Sequence, residues 1–247
     1  MVGSETSGLT QAQLGSYQET GFVLSKNLLP ADTFDTLEAR CLAVMEEFSG
    51  QRFASLDDPE LVRHLAANRE SERHLYDAIR DYDELAALSS RPELATIARQ
   101  LLGEDDIVLL EKIPFRIDLP LVSRELAVWH QDHFYVRGTT ETITAWIPLY
   151  DVAFHDGCLL IMPGTHAQGP VPHDIPALGK KYYPSSIFEN EVKYVQMKRG
   201  DVLFFHSCLL HSSGNNIGDS IRYSIQSRYT PARCESDAGM GERISLS

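Results

Sequence analysis

Apolar residues recur at helical spacing through the N-terminal part of the chain and at alternate positions beyond residue 107, so the sequence divides into a helical part and a strand part. Thr10 is placed to cap a helix running through Leu14 and Tyr17 to about residue 19. Gly21 ends it, and Phe22-Val23-Leu24 reads as a short strand. A second helix is predicted over 30–48, with Phe34, Leu37, Cys41, Val44 and Phe48 on one apolar face. Three further helices are predicted over 58–68, 70–87 and 92–102, with Pro59 and Pro92 in first-turn positions; the last carries an apolar stripe of Leu94, Ile97 and Leu101 and stops at Gly103. The charges of Arg69-Glu70-Ser71-Glu72-Arg73 read as a solvated helix face. From Ile107 the period becomes that of strands, predicted over 107–116, 126–130, 141–151, 158–162, 193–197, 201–206 and 221–230.

Helices followed by strands, without βαβ alternation, predict an α+β fold with a mainly β core and a helical layer packed on it. Two strands are two-faced. Thr142, Thr144 and Trp146 oppose Ile143, Ala145 and Ile147, and Arg222, Ser224 and Gln226 oppose Ile221, Tyr223 and Ile225. A polar strand face in a helix-covered sheet needs a wet or ligand-filled interior, which a barrel or jelly roll provides. The expected organisation is one domain over 1–247: a disordered start (1–8), a mostly helical layer (10–105), a jelly-roll core (107–230) and a loose or surface-folded tail (231–247). The Pro- and Gly-containing stretch 168–190, with Tyr182-Tyr183, reads as an insertion between strands.

Composition narrows the function classes. A formal net charge of −13 argues against a nucleic-acid partner, which needs a basic surface. No apolar run approaches membrane-spanning length, and the N-terminus lacks the basic and apolar stretches of a signal peptide, so the expectation is a cytoplasmic protein. The four cysteines, Cys41, Cys158, Cys208 and Cys234, show no paired spacing and read as free thiols rather than a disulfide framework or a zinc site.

The chemistry concentrates at Trp129-His130-Gln131-Asp132. On an extended strand His130 and Asp132 leave the same face, which supplies two thirds of the 2-His-1-carboxylate set that holds non-haem iron(II). His211 is the best candidate for the third ligand. His206 is its main competitor, and His166 reads as structural or as a hydrogen-bond donor behind the ligands.

His-x-Asp, a distant His with Ser two and Asn four positions later, and Arg222 eleven residues after His211 (222 − 211 = 11) resemble the phytanoyl-CoA dioxygenase-like family of Fe(II)/2-oxoglutarate oxygenases. So do Gly157-Cys158-Leu159-Leu160-Ile161-Met162-Pro163-Gly164-Thr165-His166 and Gly200-Asp201. The resemblance extends over about 11–230. It implies a double-stranded β-helix with flanking helices, and iron(II), 2-oxoglutarate and O2 as cofactor and cosubstrates. It implies that His130, Asp132 and His211 are the metal ligands and catalytic centre. Arg222 would hold the far carboxylate of 2-oxoglutarate, since a guanidinium grips a carboxylate through two parallel hydrogen bonds and stays charged when buried. Ser213, Trp146, Gln131 and Lys112 would lie beside the same cosubstrate. Arg116, Phe134, Tyr135 and Arg137 flank the metal segment as substrate contacts, with Tyr182 and Tyr183 in a segment able to close over it. Related halogenases carry a small residue where this chain has Asp132, which favours hydroxylation. The expected reaction is oxidation of an unactivated C–H bond of a small-molecule metabolite, in secondary metabolism or catabolism. The rival classes are a cupin-type metalloenzyme that does not use 2-oxoglutarate, for which Arg222 has no purpose, and a non-catalytic jelly-roll binding protein.

Overall fold

The structure is a computed structural model that describes residues 8–80, 82–122, 128–136, 139–174, 183–184, 189–234 and 243–246. The helical part comprises α1 (Gln11–Thr20), α2 (Asp35–Ser49), α3 (Pro59–Ala67), α4 (Arg69–Arg80), α5 (Asp83–Ser89) and α6 (Pro92–Leu102), with β1 (Phe22–Ser25) between the first two. Thr10 caps α1 in a reciprocal box with Gln13, and Gly21, Gly50 and Gly103 close α1, α2 and α6 in the left-handed conformation. The expected helix 70–87 is two helices. The expected 30–48 helix opens with a 3₁₀ turn, Ala31–Phe34, and its buried face takes Met45 while Phe48 remains exposed, stacked on His74 at 4.3 Å.

The strand part continues with β2 (Ile107–Leu110), β3 (Phe115–Asp118), the one-turn helix α7 (His133–Val136), β4 (Ile143–Pro148), β5 (Leu159–Ile161), β6 (His173–Asp174), β7 (Tyr183–Pro184), β8 (Lys193–Val195), β9 (Val202–His206), β10 (His211–Ser213), β11 (Arg222–Pro231) and β12 (Arg243–Ser245). A large antiparallel sheet runs β1-β9-β4-β11-β2-β12, with β3 also paired to β11; a smaller sheet runs β10-β5-β8. The expected strand 107–116 is interrupted at 111–114, so β3 and β2 pair with successive parts of β11. No strand forms over 128–130, where His130 makes a single bridge to His211; residues 126 and 127 lie outside the described residues. Of the tail, expected to be loose or folded over a surface, residues 243–245 form β12 and pair with β2. The expected disordered start, apart from Gly8, also lies outside the described residues.

The two-faced strands sort as their alternation requires. Ile143, Ala145, Ile147, Tyr223 and Ile225 are fully buried and share one apolar cluster with the helices. Each of the isoleucines contributes roughly 1.5–3 kcal/mol of burial. Ser89 at the end of α5 pins that layer to the sheet: Ser227 Oγ donates to its hydroxyl, and Tyr229 Oη to its carbonyl, both at 2.7 Å. Trp146 turns the other way, into a second cluster with Leu159, Ile161 and Phe205 between the two sheets. Polar residues of the same inner face are thereby carried to one end of that space.

The loop before β5 and the end of β10 meet backbone to backbone. Gly157 has φ +77°, and a Cβ there would stand 2.5 Å from the carbonyl of Gly214. Gly157→Ala therefore carries both backbone strain and a collision. It should lower unfolding free energy by at least about 1–3 kcal/mol, read as a shifted denaturant midpoint at unchanged slope; a midpoint like the parent's would show that the crossing is not tight.

Candidate metal centre

Two histidines distant in sequence are brought together by backbone pairing. His130 N donates to His211 O at 2.9 Å, and His211 N returns the bond to His130 O at 3.0 Å. The position of His211 is fixed from behind. Met162 N donates to Leu210 O at 2.9 Å, and Leu210 N donates to Thr165 Oγ1 at 3.0 Å, which is what the Pro-Gly-Thr-His segment does for the site. After His130 the chain turns into α7, with Asp132 O accepting from Tyr135 N and Val136 N at 2.9 Å each. His130 and Asp132 thus converge through a bridge and a turn, where an extended strand was expected.

The ring orientations follow from hydrogen bonds. Nδ1 of His130 donates to Val128 O at 2.8 Å and Nδ1 of His211 to Leu209 O at 3.0 Å, which turns both Nε2 lone pairs to the centre. Each Nε2 is 3.8 Å from Asp132 Oδ1. Burial lowers the pKa of both imidazoles, that of His130 to about 3, so both are neutral ligands at neutral pH. Burial pushes the Asp132 carboxyl up, but Arg228, the two imidazoles and the Thr144 hydroxyl outweigh it and hold it well below the usual carboxylate range. Two neutral nitrogens and one carboxylate oxygen, all within 4.8 Å of one another, are the donor set of a facial-triad iron site. His206, the competitor, is elsewhere: its ring is 5.5 Å from His166, and its Nδ1 accepts from Cys208 N. His166 contacts Gln18 O rather than a ligand.

The triad opens on a cavity of about 500 Å³ bounded also by Trp146, Ser213, Arg116 and Tyr135. Tyr135 is 41 % exposed and stands edge-on to His130, at its mouth. Arg222 is not on the cavity wall. It lines a second cavity with Asp156 and Arg199, and is linked to Arg116 on the triad cavity through Asp118, its cross-strand partner: Arg222 Nη2 is 2.9 Å from Asp118 Oδ2, and Arg116 Nη2 is 3.1 Å from Oδ1 of the same carboxylate. One carboxylate therefore serves two guanidiniums. Burial raises its pKa, and Arg222 followed by Arg116 bring it down to about 2. Nε and Nη1 of Arg222 are buried and have no hydrogen-bond partner among the described residues, so the guanidinium keeps donors free for a further acceptor such as a carboxylate.

Three expected contacts are corrected. Gln131 is fully buried and does not line the cavity: its amide donates to Gly169 O and Cys208 O and accepts from Val171 N, so its polar atoms are spent on backbone. Lys112 lines a different cavity, with Tyr76 and Arg80. Phe134 packs on His173 at 4.0 Å rather than on the triad cavity. Arg137 and Tyr182 lie outside the described residues. Two residues that sequence reasoning passed over do touch the centre. Thr144 Oγ1 donates to Asp132 Oδ2 at 2.6 Å, and the Arg228 guanidinium lies against both oxygens at 3.3 Å. The signal for Arg228 was present, since it continues the inward alternation Arg222, Ser224, Gln226.

Among the described residues no helix is long and apolar enough to cross a membrane, and no cysteine forms a disulfide. Comparison with known proteins gives a consistent picture. Phytanoyl-CoA dioxygenase, peroxisomal, of Rattus norvegicus is 25 % identical over 240 residues, covering 92 % of this chain and 70 % of the relative. The 1-deoxypentalenic acid 11-beta-hydroxylase of Streptomyces exfoliatus is 27 % identical over 169 residues, 63 % of this chain and 60 % of that one. The crystal structure of the epimerase SnoN in complex with Fe3+, alpha ketoglutarate and nogalamycin RO superposes with a TM-score of 0.64 at 21 % identity, covering 92 % of this chain and 85 % of that chain, which establishes the jelly-roll core as a shared fold. The family model for phytanoyl-CoA dioxygenase (PhyH) matches residues 17–224, most of the length, and with the His130–Asp132–His211 centre in place the chain belongs to that family.

Proposed function

We propose that this protein is a non-haem iron(II)- and 2-oxoglutarate-dependent oxygenase that hydroxylates an unactivated C–H bond of a small-molecule metabolite. The carrying observation is the convergence of His130 Nε2, His211 Nε2 and Asp132 Oδ1 on one point at the wall of a cavity. With iron and 2-oxoglutarate bound, O2 would be the four-electron oxidant: oxidative decarboxylation of 2-oxoglutarate to succinate and CO2 would supply two electrons and take one oxygen atom, and the substrate C–H bond would supply the other two and take the second.

The chain's own residues do the rest. His130, His211 and Asp132 would hold the metal from one side and would leave its remaining positions to a chelating cosubstrate and O2. Arg222, whose Nε and Nη1 have no partner among the described residues, would take the far carboxylate, helped by the Ser213 hydroxyl on the cavity wall. Arg116 shares Asp118 with Arg222, so the two guanidiniums retain one positive charge for that carboxylate. Trp146 and Phe205, each about 1 % exposed, keep water from the inner end. Tyr135 marks the side from which substrate enters. A carboxylate at position 132 fills the place that a halide needs, which favours hydroxylation. The Streptomyces relative is a hydroxylase by name and SnoN is named with iron and alpha ketoglutarate, both in keeping with this reading. A cytoplasmic setting and a role in secondary metabolism belong to the same proposal.

Iron(II) added anaerobically with 2-oxoglutarate should give a weak visible charge-transfer band; folded protein showing none would end the proposal. Arg222→Leu should raise the KM for 2-oxoglutarate on the order of 10-fold or more, the equivalent of a charged hydrogen bond, with iron affinity nearly unchanged. If Arg116→Leu carries that loss and Arg222→Leu does not, Arg116 is the holder. His211→Ala should abolish iron binding while His206→Ala retains it, and calorimetric titration giving the reverse would reassign the third ligand.

A further inference from the structure

Asp132 presents its two oxygens to different partners. Oδ1 faces both histidine Nε2 atoms at 3.8 Å. Oδ2 accepts from Thr144 Oγ1 at 2.6 Å and from Arg228 Nε at 3.3 Å. Arg228 and Thr144 are directly opposite each other in the β11–β4 register, so their side chains rise from one face as a pair. Arg228 Nη2 is also 3.3 Å from Oδ1, but its shorter bond, 3.1 Å, goes to Gln226 Oε1 two residues back on the same face. The guanidinium is thus fixed at both ends and is only 7 % exposed in its side chain.

We propose that Arg228, with Thr144, is the positioning device that makes Asp132 a one-oxygen ligand, and that its charge favours the dianionic cosubstrate; this rests on the oxygenase reading above. One-oxygen ligation matters because a chelating cosubstrate and O2 together need three metal positions, and a carboxylate binding through both oxygens would take one of them. Holding Oδ2 in two hydrogen bonds prevents that swing. The guanidinium also cancels the Asp132 charge, so the metal's two positive charges remain to receive a dianion.

The two roles predict a split. Losing Arg228 removes orientation, which weakens metal binding, but also removes a positive charge beside the cation, which strengthens it. For 2-oxoglutarate both losses act in the same direction. The test is calorimetric titration of the full chain, first with Mn(II) alone and then with 2-oxoglutarate added to the Mn(II)-loaded protein, for the parent, Arg228→Lys and Arg228→Leu. For Arg228→Leu the second affinity should fall roughly 10–100-fold, the scale on which partners of ligating groups act, while the Mn(II) affinity changes by much less. Arg228→Lys keeps the charge without the fork and should fall between. Where Arg228→Leu does not fold, Thr144→Val removes the other contact to Oδ2 and should weaken the second step in the same direction. Equal losses in both steps, or a 2-oxoglutarate affinity like the parent's, overturn the proposal. A parent that takes Mn(II) but not 2-oxoglutarate sinks the oxygenase reading itself, whereas a parent that binds both beside an unaffected Arg228→Leu sinks only the role of Arg228.

Discussion

A carboxylate only 2 % exposed, placed between two neutral imidazoles, is the interaction on which this site depends. Burying a charge costs several kcal/mol unless a counter-charge and hydrogen bonds answer it. Arg228 and Thr144 answer it, and both stand on the large sheet, whose outer face is locked to the helical layer by Ser89 and the buried Ile143, Ala145 and Ile147. Helices α1 to α6 put no residue on the triad cavity, yet they hold the ladder that holds Asp132. The same dependence runs through the other two ligands, because Leu210, the neighbour of His211, is tied to Thr165 and Met162, and His211 hands its position to His130 through a single bridge.

The inner face of β11 carries this logic along its length. Arg222 stands opposite Asp118, Ser224 opposite Arg116, Gln226 opposite Trp146 and Arg228 opposite Thr144. Alternation alone dictates that these four share a face, and the register with β3 and β4 decides which partner each one meets. A shift of one residue would turn Arg228 into the apolar cluster and Tyr229 toward the cavity, losing the counter-charge of Asp132 and the bond to Ser89 together.

Much of this was legible in the sequence. Helix ends were marked by Thr10, Pro92 and Gly103, where capping chemistry is local. The two faces of β4 and β11 followed from alternation, and the metal ligands from side-chain type and order. What was not legible depended on tertiary contact. Gln131 sits between two ligands in sequence, yet its amide is fully spent on the backbone of Gly169, Val171 and Cys208, which no local pattern encodes. Lys112 falls in the interruption between β2 and β3, and that interruption faces it into another cavity. The route by which His130 and Asp132 converge was missed because a one-residue bridge followed by a turn leaves no periodic trace.

The described charges fall into two groups with different totals. Asp132 and Arg228 cancel at the metal. Asp118 is shared by Arg116 and Arg222, which leaves one positive charge at the other group. A metal dication with a dianionic chelator adds nothing net to this arrangement. On the proposed reading the division by place is what discriminates: the metal end would offer the cation's own charge to the near carboxylate and keto oxygen of 2-oxoglutarate, and the Asp118 end would offer a surplus guanidinium to the far carboxylate. A monocarboxylate of similar size would satisfy the first group and leave Arg222 buried and under-paired, which costs about 1–3 kcal/mol for an unsatisfied buried group. On that proposal, selectivity for a dicarboxylate would arise from how one aspartate is divided between two arginines, with no contact to the metal required.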